Sequence, residues 1–334
     1  MNKIKGLVIF IISLSLVWLS ACSQNTAQSD NDNNETNNSD YPNKPIEIVV
    51  PFSAGGSTDT VARLLAENVS KYLPNNQPVA VINIPGGGGA VGMTEVANAK
   101  PDGYKIGYTT LTSVSTQPLY GQTSYNYDSF QPIMNVTFVP MMLLVQADSP
   151  WKTFEEWLDY VKKNPGEFNY TTSTGPEGVE HVGMEKLMME ENLNLKYVPY
   201  QSRSEAVAAL LGGHVDGAIA MPREGEQDQL RPLINFSGDK TGEFKDTPLL
   251  KEKGFDIEAS VNTGLFAPKE LPDDILKILD SAFKKTLEDP EFIAGMKNLQ
   301  LEPNYKGPGD FAKIIKTKHD NDEIMLKNLN LIDE

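Results

Sequence analysis

The chain has 334 residues, with 29 Lys and Arg against 45 Asp and Glu, a formal net charge of −16 and a single cysteine. So acidic a balance argues against nucleic acid and against an anionic membrane surface as partners, and one cysteine excludes an internal disulfide, so the fold must be held by its own core. The length suffices for two medium domains.

In chain order, Lys3 and Lys5 precede an apolar run from Leu7 to Trp18 that is too short to span a bilayer as a stable helix. This is the layout of a secretory signal over residues 1–21. Leu19-Ser20-Ala21-Cys22 closes it and resembles the lipobox of bacterial lipoproteins, in which the cysteine is diacylated, carrying fatty acids such as palmitate, and becomes the mature N-terminus. The alternative is an ordinary cleaved signal beside a chance cysteine. Because Cys22 is the sole cysteine, it reads as an anchor rather than a redox group, which implies a lipid-anchored protein on the extracytoplasmic face of the cell membrane. After Cys22, residues 23–40 contain no apolar residue beyond Ala27, and 22–40 reads as a disordered tether.

Ile46 to Leu65 packs a strand, a glycine turn and a helix start into one stretch. Ile46, Ile48, Val49 and Val50 form a β-branched run that Pro51 stops; Gly55 and Gly56 turn the chain; Ser57, Thr58 and Asp59 are all good N-cap residues. Val61, Leu64, Leu65 and Val69 then recur at helical spacing. The first amides of such a helix have no intrahelical partner and carry the positive end of its dipole, and glycines let an oxygen ligand approach them. The stretch reads either as a cradle for a carboxylate or phosphate, formed by Phe52, Ser53, Gly55, Gly56, Ser57, Thr58 and Asp59, or as an ordinary strand-to-helix connection. Asp59 is open to two roles: acceptor for a ligand amino group, or a helix-start acid favoured by the dipole.

Val79 to Ile84 predicts a second strand, and Pro85-Gly86-Gly87-Gly88-Gly89-Ala90-Val91-Gly92 a second glycine loop before a helix from Val91 to Ala99. Gly87, Gly89 and Gly92 satisfy GxGxxG, but Pro85 separates strand from glycines and the first acid of the expected kind is Asp102, inside the turn-like Pro101-Asp102-Gly103; with no Lys-Ser/Thr pair, a P-loop fails too. Lys105–Thr110 predicts a third strand, and Phe138–Val145 a run able to cross between domains. A helix over Trp151–Lys163 carries a capping box, Thr153 with Glu156; Asn169–Thr172 is a strand leading through Ser173-Thr174-Gly175 to a helix at Val179–Glu191. Tyr197–Tyr200 predicts a strand, Ser202 with Glu205 a second capping box, Ala206–Leu211 a helix and Val215–Ala220 a strand. A return strand at Gly264–Pro268 and helices at Asp273–Leu287, Pro290–Asn298 and Pro308–Asn328 complete an α/β pattern.

The order of motifs resembles the substrate-binding proteins of tripartite tricarboxylate transporters, the Bug family. The residues that carry it are Tyr41-Pro42-Asn43-Lys44-Pro45-Ile46, Val50 to Asp59, Pro85 to Gly92, Pro101-Asp102-Gly103-Tyr104, Val198-Pro199-Tyr200 and Leu210-Leu211-Gly212-Gly213-His214-Val215-Asp216. The resemblance implies a type II periplasmic-binding-protein-like fold, a Venus flytrap of two domains joined by two crossovers, with residues 41–141 plus 260–334 as domain I and 142–259 as domain II. It implies a di- or tricarboxylate such as citrate in the interdomain cleft, held through amides of Phe52 to Thr58 and Gly86, Gly87 and Gly88 in the first domain. Ser173, Thr174, Gly175 and the loop after Tyr200 supply selectivity, and membrane permease subunits receive the ligand from a monomeric binding protein. After Tyr200 most members continue with lysine or aspartate and then glycines, whereas here the loop is Gln201-Ser202-Arg203-Ser204, so Arg203 is open to two roles: a fork for a second carboxylate, or a partner of Glu205 or another acid.

An enzyme needs a reacting group. His181, His214 and His319 have no neighbour at metal-ligand spacing and no GxSxG elbow is present, so neither a metal site, a cofactor nor a catalytic set is expected, and a secreted hydrolase is the weaker alternative. A ligand-sensing lipoprotein that signals to a membrane kinase has the same sequence signature as one that delivers its ligand.

Overall fold

Short β-branched runs stopped by proline or glycine, each followed by an amphipathic stretch, fold here as alternating strands and helices. The computed structural model describes residues 40–173, 178–200, 202–223, 225–240, 244–328 and 332–333. The expected signal, the Cys22 anchor and the tether up to residue 39 lie outside these residues, as do Thr174, Gly175 and Gln201. The elements in order are β1 (Ile46–Val50), α1 (Ser57–Val69), β2 (Val79–Asn83), α2 (Ala90–Ala97), β3 (Lys105–Thr110), β4 (Phe130–Pro140), β5 (Met142–Gln146), α3 (Phe154–Lys163) and β6 (Asn169–Thr172). Then come α4 (Val179–Glu191), β7 (Lys196–Tyr197), α5 (Arg203–Leu211), β8 (Gly217–Ala220), β9 (Leu230–Asn235), β10 (Ser260–Pro268), α6 (Asp273–Leu287), α7 (Pro290–Asn298), β11 (Pro303–Lys306) and α8 (Pro308–Asn328).

Two sheets result, a six-stranded one ordered β11-β4-β10-β3-β1-β2 and a five-stranded one ordered β7-β6-β8-β5-β9. In the first, β1 lies parallel to both β2 and β3. In the second, β6 lies parallel to both β7 and β8. Each sheet therefore contains the same unit: three parallel strands in the spatial order second, first, third. Strand alternation loads both faces. Ile46, Ile48 and Val50 enter one core with Val61 and Leu65 of α1, while Val49 enters another with Met93 and Phe311. In the second sheet Leu143 and Val145 pack with Trp157 and Met184, and Met142 and Leu144 with Val207 and Leu210. Each such aliphatic side chain, fully buried, contributes about 1.5–3 kcal/mol.

The run Phe138–Val145 forms parts of two strands that part company at Met141. Pro140 at the end of β4 faces Ser260 of β10 in the first sheet, and Met142 at the start of β5 faces Ala220 of β8 in the second. The return connection lies beside it: Phe236 N donates to Met141 O at 2.8 Å, and Ala259 N to Phe236 O at 2.7 Å. The chain thus passes between sheets twice, at adjacent places. Both expected helix caps form, with Thr153 Oγ1 accepting from Glu156 N at 3.2 Å and Ser202 Oγ from Glu205 N at 3.3 Å.

Several elements differ from expectation. The strand expected to reach Tyr200 ends at Tyr197, after Val198 N donates to Tyr170 O, because Pro199 has no N–H to continue the ladder. The strand expected from Val215 begins at Gly217. β9, β11 and the first half of β4 are additional strands. Each contains a proline, Pro232, Pro303 and Pro132, which lowers the strand signal.

Candidate functional site

Loops that follow parallel strands emerge on one edge of a sheet, and in open α/β sheets that edge, at the point where strand order reverses, is where ligands bind. The first sheet presents there Phe52–Thr58 after β1, Gly86–Gly89 after β2 and the turn after β3; the second presents Ser173 after β6, Tyr200, Ser202 and Arg203 after β7 and Met221–Arg223 after β8.

In the first edge, Ser53 to Ser57 are exposed. Gly56 occupies the N-cap of α1 with no side-chain cap, in the place expected of Ser57, Thr58 or Asp59, which instead form the first turn. Ser57 and Thr58 therefore present first-turn amides that no intrahelical carbonyl can reach. Asp59 is buried beneath them: its carboxylate accepts from Gly55 N at 2.8 Å, Asn83 Nδ2 at 2.9 Å and Arg63 Nε at 3.0 Å. Asn83 Nδ2 also donates to Phe52 O at 3.0 Å, which ties the end of β2 to the loop after β1. Burial raises the Asp59 pKa, but the hydrogen bonds from Arg63, Gly55 and Asn83 outweigh it and hold the carboxyl below its usual range. Asp59 and the Gly55 amide are thus committed to shaping the loop.

The second glycine loop has Gly86, Gly87, Gly88 and Gly89 all at positive φ, a run that side chains would strain. It lies flat against the segment after β3, where a β-carbon on Gly88 would overlap the Gln117 side chain and one on Gly89 would overlap Ser113. Ser113 belongs to a π-helical turn, Thr112–Thr116, and its hydroxyl donates to Gly88 O at 2.9 Å. Gly86, Gly87 and Gly88 remain exposed. The loop residues Phe52–Thr58 and Gly86–Gly89 carry no charged side chain.

The second edge is built differently. Ser173 Oγ donates to Glu180 Oε1 at 2.5 Å, from the residue just after β6 to a buried residue in the first turn of α4. Tyr200 is half-buried against Leu210 and its neighbours. Arg203 opens α5; its Nε donates to Met221 O at 2.8 Å and its Nη2 pairs with Glu226. Glu226 also accepts from the backbone N of Arg223 at 3.1 Å. Burial and the neighbouring Arg203 lower the Arg223 pKa, with Glu226 opposing them. Arg223 Nε is buried without a hydrogen-bond partner. Asn83, Ser113, Glu180, Arg223 and Glu226 were not among the residues expected from sequence; the strand order that gathers them is the signal sequence lacks.

Among the described residues no cluster of three or more His, Cys, Asp or Glu is placed to hold a metal, and no helix is long and apolar enough to cross a membrane. A polar depression of about 670 Å³, lined among others by Tyr120, His319, Glu323 and Lys327, contains none of the expected site residues.

Comparison with known proteins places this architecture. The model of the "Tripartite tricarboxylate transporter family receptor" matches residues 61–331. A Cupriavidus necator protein, "UPF0065 protein in gbd 5'region", is 35% identical over 300 residues, covering 87% of this chain and 89% of that one. A TctC solute binding protein from Polaromonas has 28% identity and a TM-score of 0.79, covering 86% of this chain and 99% of the other. MatC from Rhodopseudomonas palustris, solved with bound malate, has 26% identity and a TM-score of 0.60, covering 86% of this chain and 100% of that one. The chain belongs to the tripartite tricarboxylate transporter receptor family, the Bug-type periplasmic solute-binding proteins.

Proposed function

We propose that this chain is a solute-binding lipoprotein, anchored through Cys22, that captures a small di- or tricarboxylate such as citrate between the carboxyl edges of its two sheets. It then delivers the ligand, as a monomer and without chemical change, to the membrane permease subunits of a tripartite tricarboxylate transporter. The first domain in this reading is 41–141 plus 260–334 and the second 142–259, with closure about the adjacent crossings at Met141 and Phe236 burying the ligand. The observation that carries the reading is the pair of exposed, uncharged loops at the ends of β1 and β2, backed by the dipole of α1. Amides of Ser57, Thr58, Gly87 and Gly88 receive one carboxylate, with Phe52, Ser53, Gly56 and Gly86 shaping its approach. Ser173, Thr174, Gly175, Tyr200 and Arg203 meet the rest of the molecule. The malate held by MatC is of the same chemical class.

A thermal-shift screen against citrate, malate, other dicarboxylates, acidic amino acids and aromatic acids tests this. Ligand at about 100 times its Kd should add roughly 2.7 kcal/mol to stability. A rise confined to di- and tricarboxylates supports the reading, and a screen without any rise sinks it. For the anchor, the wild-type chain should partition into detergent and Cys22→Ser into the aqueous phase; equal partitioning removes the lipid.

A further inference from the structure

We propose that Arg223 is a second anion receptor, which selects ligands that carry a second carboxylate; this deepens the carboxylate reading above and rests on it. Arg223 follows β8, and β8 and β6 flank the position at which strand order reverses in the second sheet, as β3 and β1 do in the first. By position it is therefore the counterpart, on the second edge, of the segment after β3 that carries the Thr112–Thr116 turn and backs the glycine loop on the first.

Its hydrogen bonding is incomplete. A buried donor without an acceptor is rare in folded proteins and points to a missing ion or ligand. Arg223 Nε is such a donor. The neighbouring arginine is not: Arg203 is satisfied by Met221 O and by the Glu226 carboxylate. Glu226 reaches Arg223 through the latter's backbone N–H. The Arg203 guanidinium thus takes the Glu226 carboxylate, and among the described residues no carboxylate pairs with the Arg223 guanidinium. The arginine at the first edge is not left in this state, since Arg63 and Asp59 neutralise each other. In a chain with a formal net charge of −16, an anion entering the second edge needs a local cation of this kind. The guanidinium fork matches a planar carboxylate in two parallel hydrogen bonds.

The test is calorimetric titration of the protein and of Arg223→Met with pairs of equal chain length: succinate with butyrate, glutarate with pentanoate, adipate with hexanoate. The wild-type protein should favour at least one dicarboxylate over its partner by roughly tenfold or more, and in Arg223→Met that preference should shrink to about twofold or less. Arg223→Lys, which keeps the charge and loses the fork, should fall between the two. A preference that survives in Arg223→Met overturns the assignment. If Arg223→Met loses its fold by circular dichroism, Arg223→Lys decides: an unchanged preference there also overturns it. Wild-type protein that binds both members of each pair alike removes Arg223 as a selector while leaving carboxylate binding in place. Failure to bind any of the six, or citrate or malate, overturns the carboxylate reading and this inference together.

Discussion

The carboxyl edges of the two sheets share one topology and use opposite chemistry. After β1 and β2 the chain offers backbone amides on glycine-rich loops, and its one acid and one base there, Asp59 and Arg63, are spent on each other and on the loop. After β6, β7 and β8 it offers side chains: a serine bonded to a buried glutamate, a half-buried tyrosine, and two arginines of which Arg203 pairs with Glu226. Amides aimed at an oxyanion accept almost any carboxylate, because every carboxylate presents the same two oxygens. Side chains meet what differs between ligands. In the proposed reading the first edge captures and the second chooses, and the two should respond to mutation in different ways.

The largest effect should come from blocking the first edge. Gly56 has φ −74, and a β-carbon there would meet only Ser53 O at 3.5 Å, an ordinary contact. Gly56→Val should fold with nearly unchanged melting temperature yet shield the first-turn amides of α1. Loss of two charge-assisted hydrogen bonds at about 1.5 kcal/mol each weakens affinity by about 100-fold. Calorimetry should find this loss for mono-, di- and tricarboxylates alike. A loss confined to one class would transfer selectivity to the first edge and break the comparison.

Next is Asp59, which supports that edge from beneath. Asn at this position keeps one acceptor oxygen but turns an amide group towards the donors Arg63 and Asn83, so Asp59→Asn should cost about 2 kcal/mol of stability and weaken capture of every carboxylate. Its pH dependence sharpens the assignment. The folded-state pKa is depressed, so the stability it contributes is complete above the unfolded value, about 3.9, and is lost as pH falls through the folded value. The variant should lack this acid limb in denaturant titrations from pH 5 downwards. An identical acid limb in variant and wild type would remove Asp59 from the support of the loop.

How much of this was legible in the sequence depended on what kind of signal each feature leaves. β1, β3, β6 and helices α6, α7 and α8 coincide with their expected spans, since each is a strongly periodic run bounded by proline, glycine or a polar cap. β9 and β11 were missed because both lie at sheet edges, where a proline is tolerated without losing a ladder hydrogen bond, so the breaker that excludes a central strand says nothing there. The glycine loops announced themselves through composition. Arg223 did not, since its role depends on β8 lying beside β6, which is a fact of strand order rather than of local pattern. The N-cap of α1 fell to Gly56 for a related reason: Asp59, a good cap by type, is drawn inward by Asn83, a residue 24 positions away.

The smallest expected effect separates the two halves by pH. His181 of α4 lies between Tyr170 of β6 and Tyr197 of β7, with its Nδ1 3.1 Å from the Tyr170 hydroxyl and ring centroids 4.2 Å apart from Tyr197. Burial lowers its pKa, and Glu185, 3.8 Å from Nε2, only partly opposes this. For a base whose folded pKa is depressed, the unfolded chain binds more protons between the folded value and about 6.5, so stability rises with pH across that window and is fully present above it. His181→Gln should flatten this limb and leave the one below pH 4 intact, whereas Asp59→Asn should do the reverse. Measured side by side, the two variants assign one acid-sensitive contact to each half. If His181→Gln left the stability profile between pH 5 and 7 unchanged, the ring would be packing without titrating, and acid lability would belong to the first edge alone.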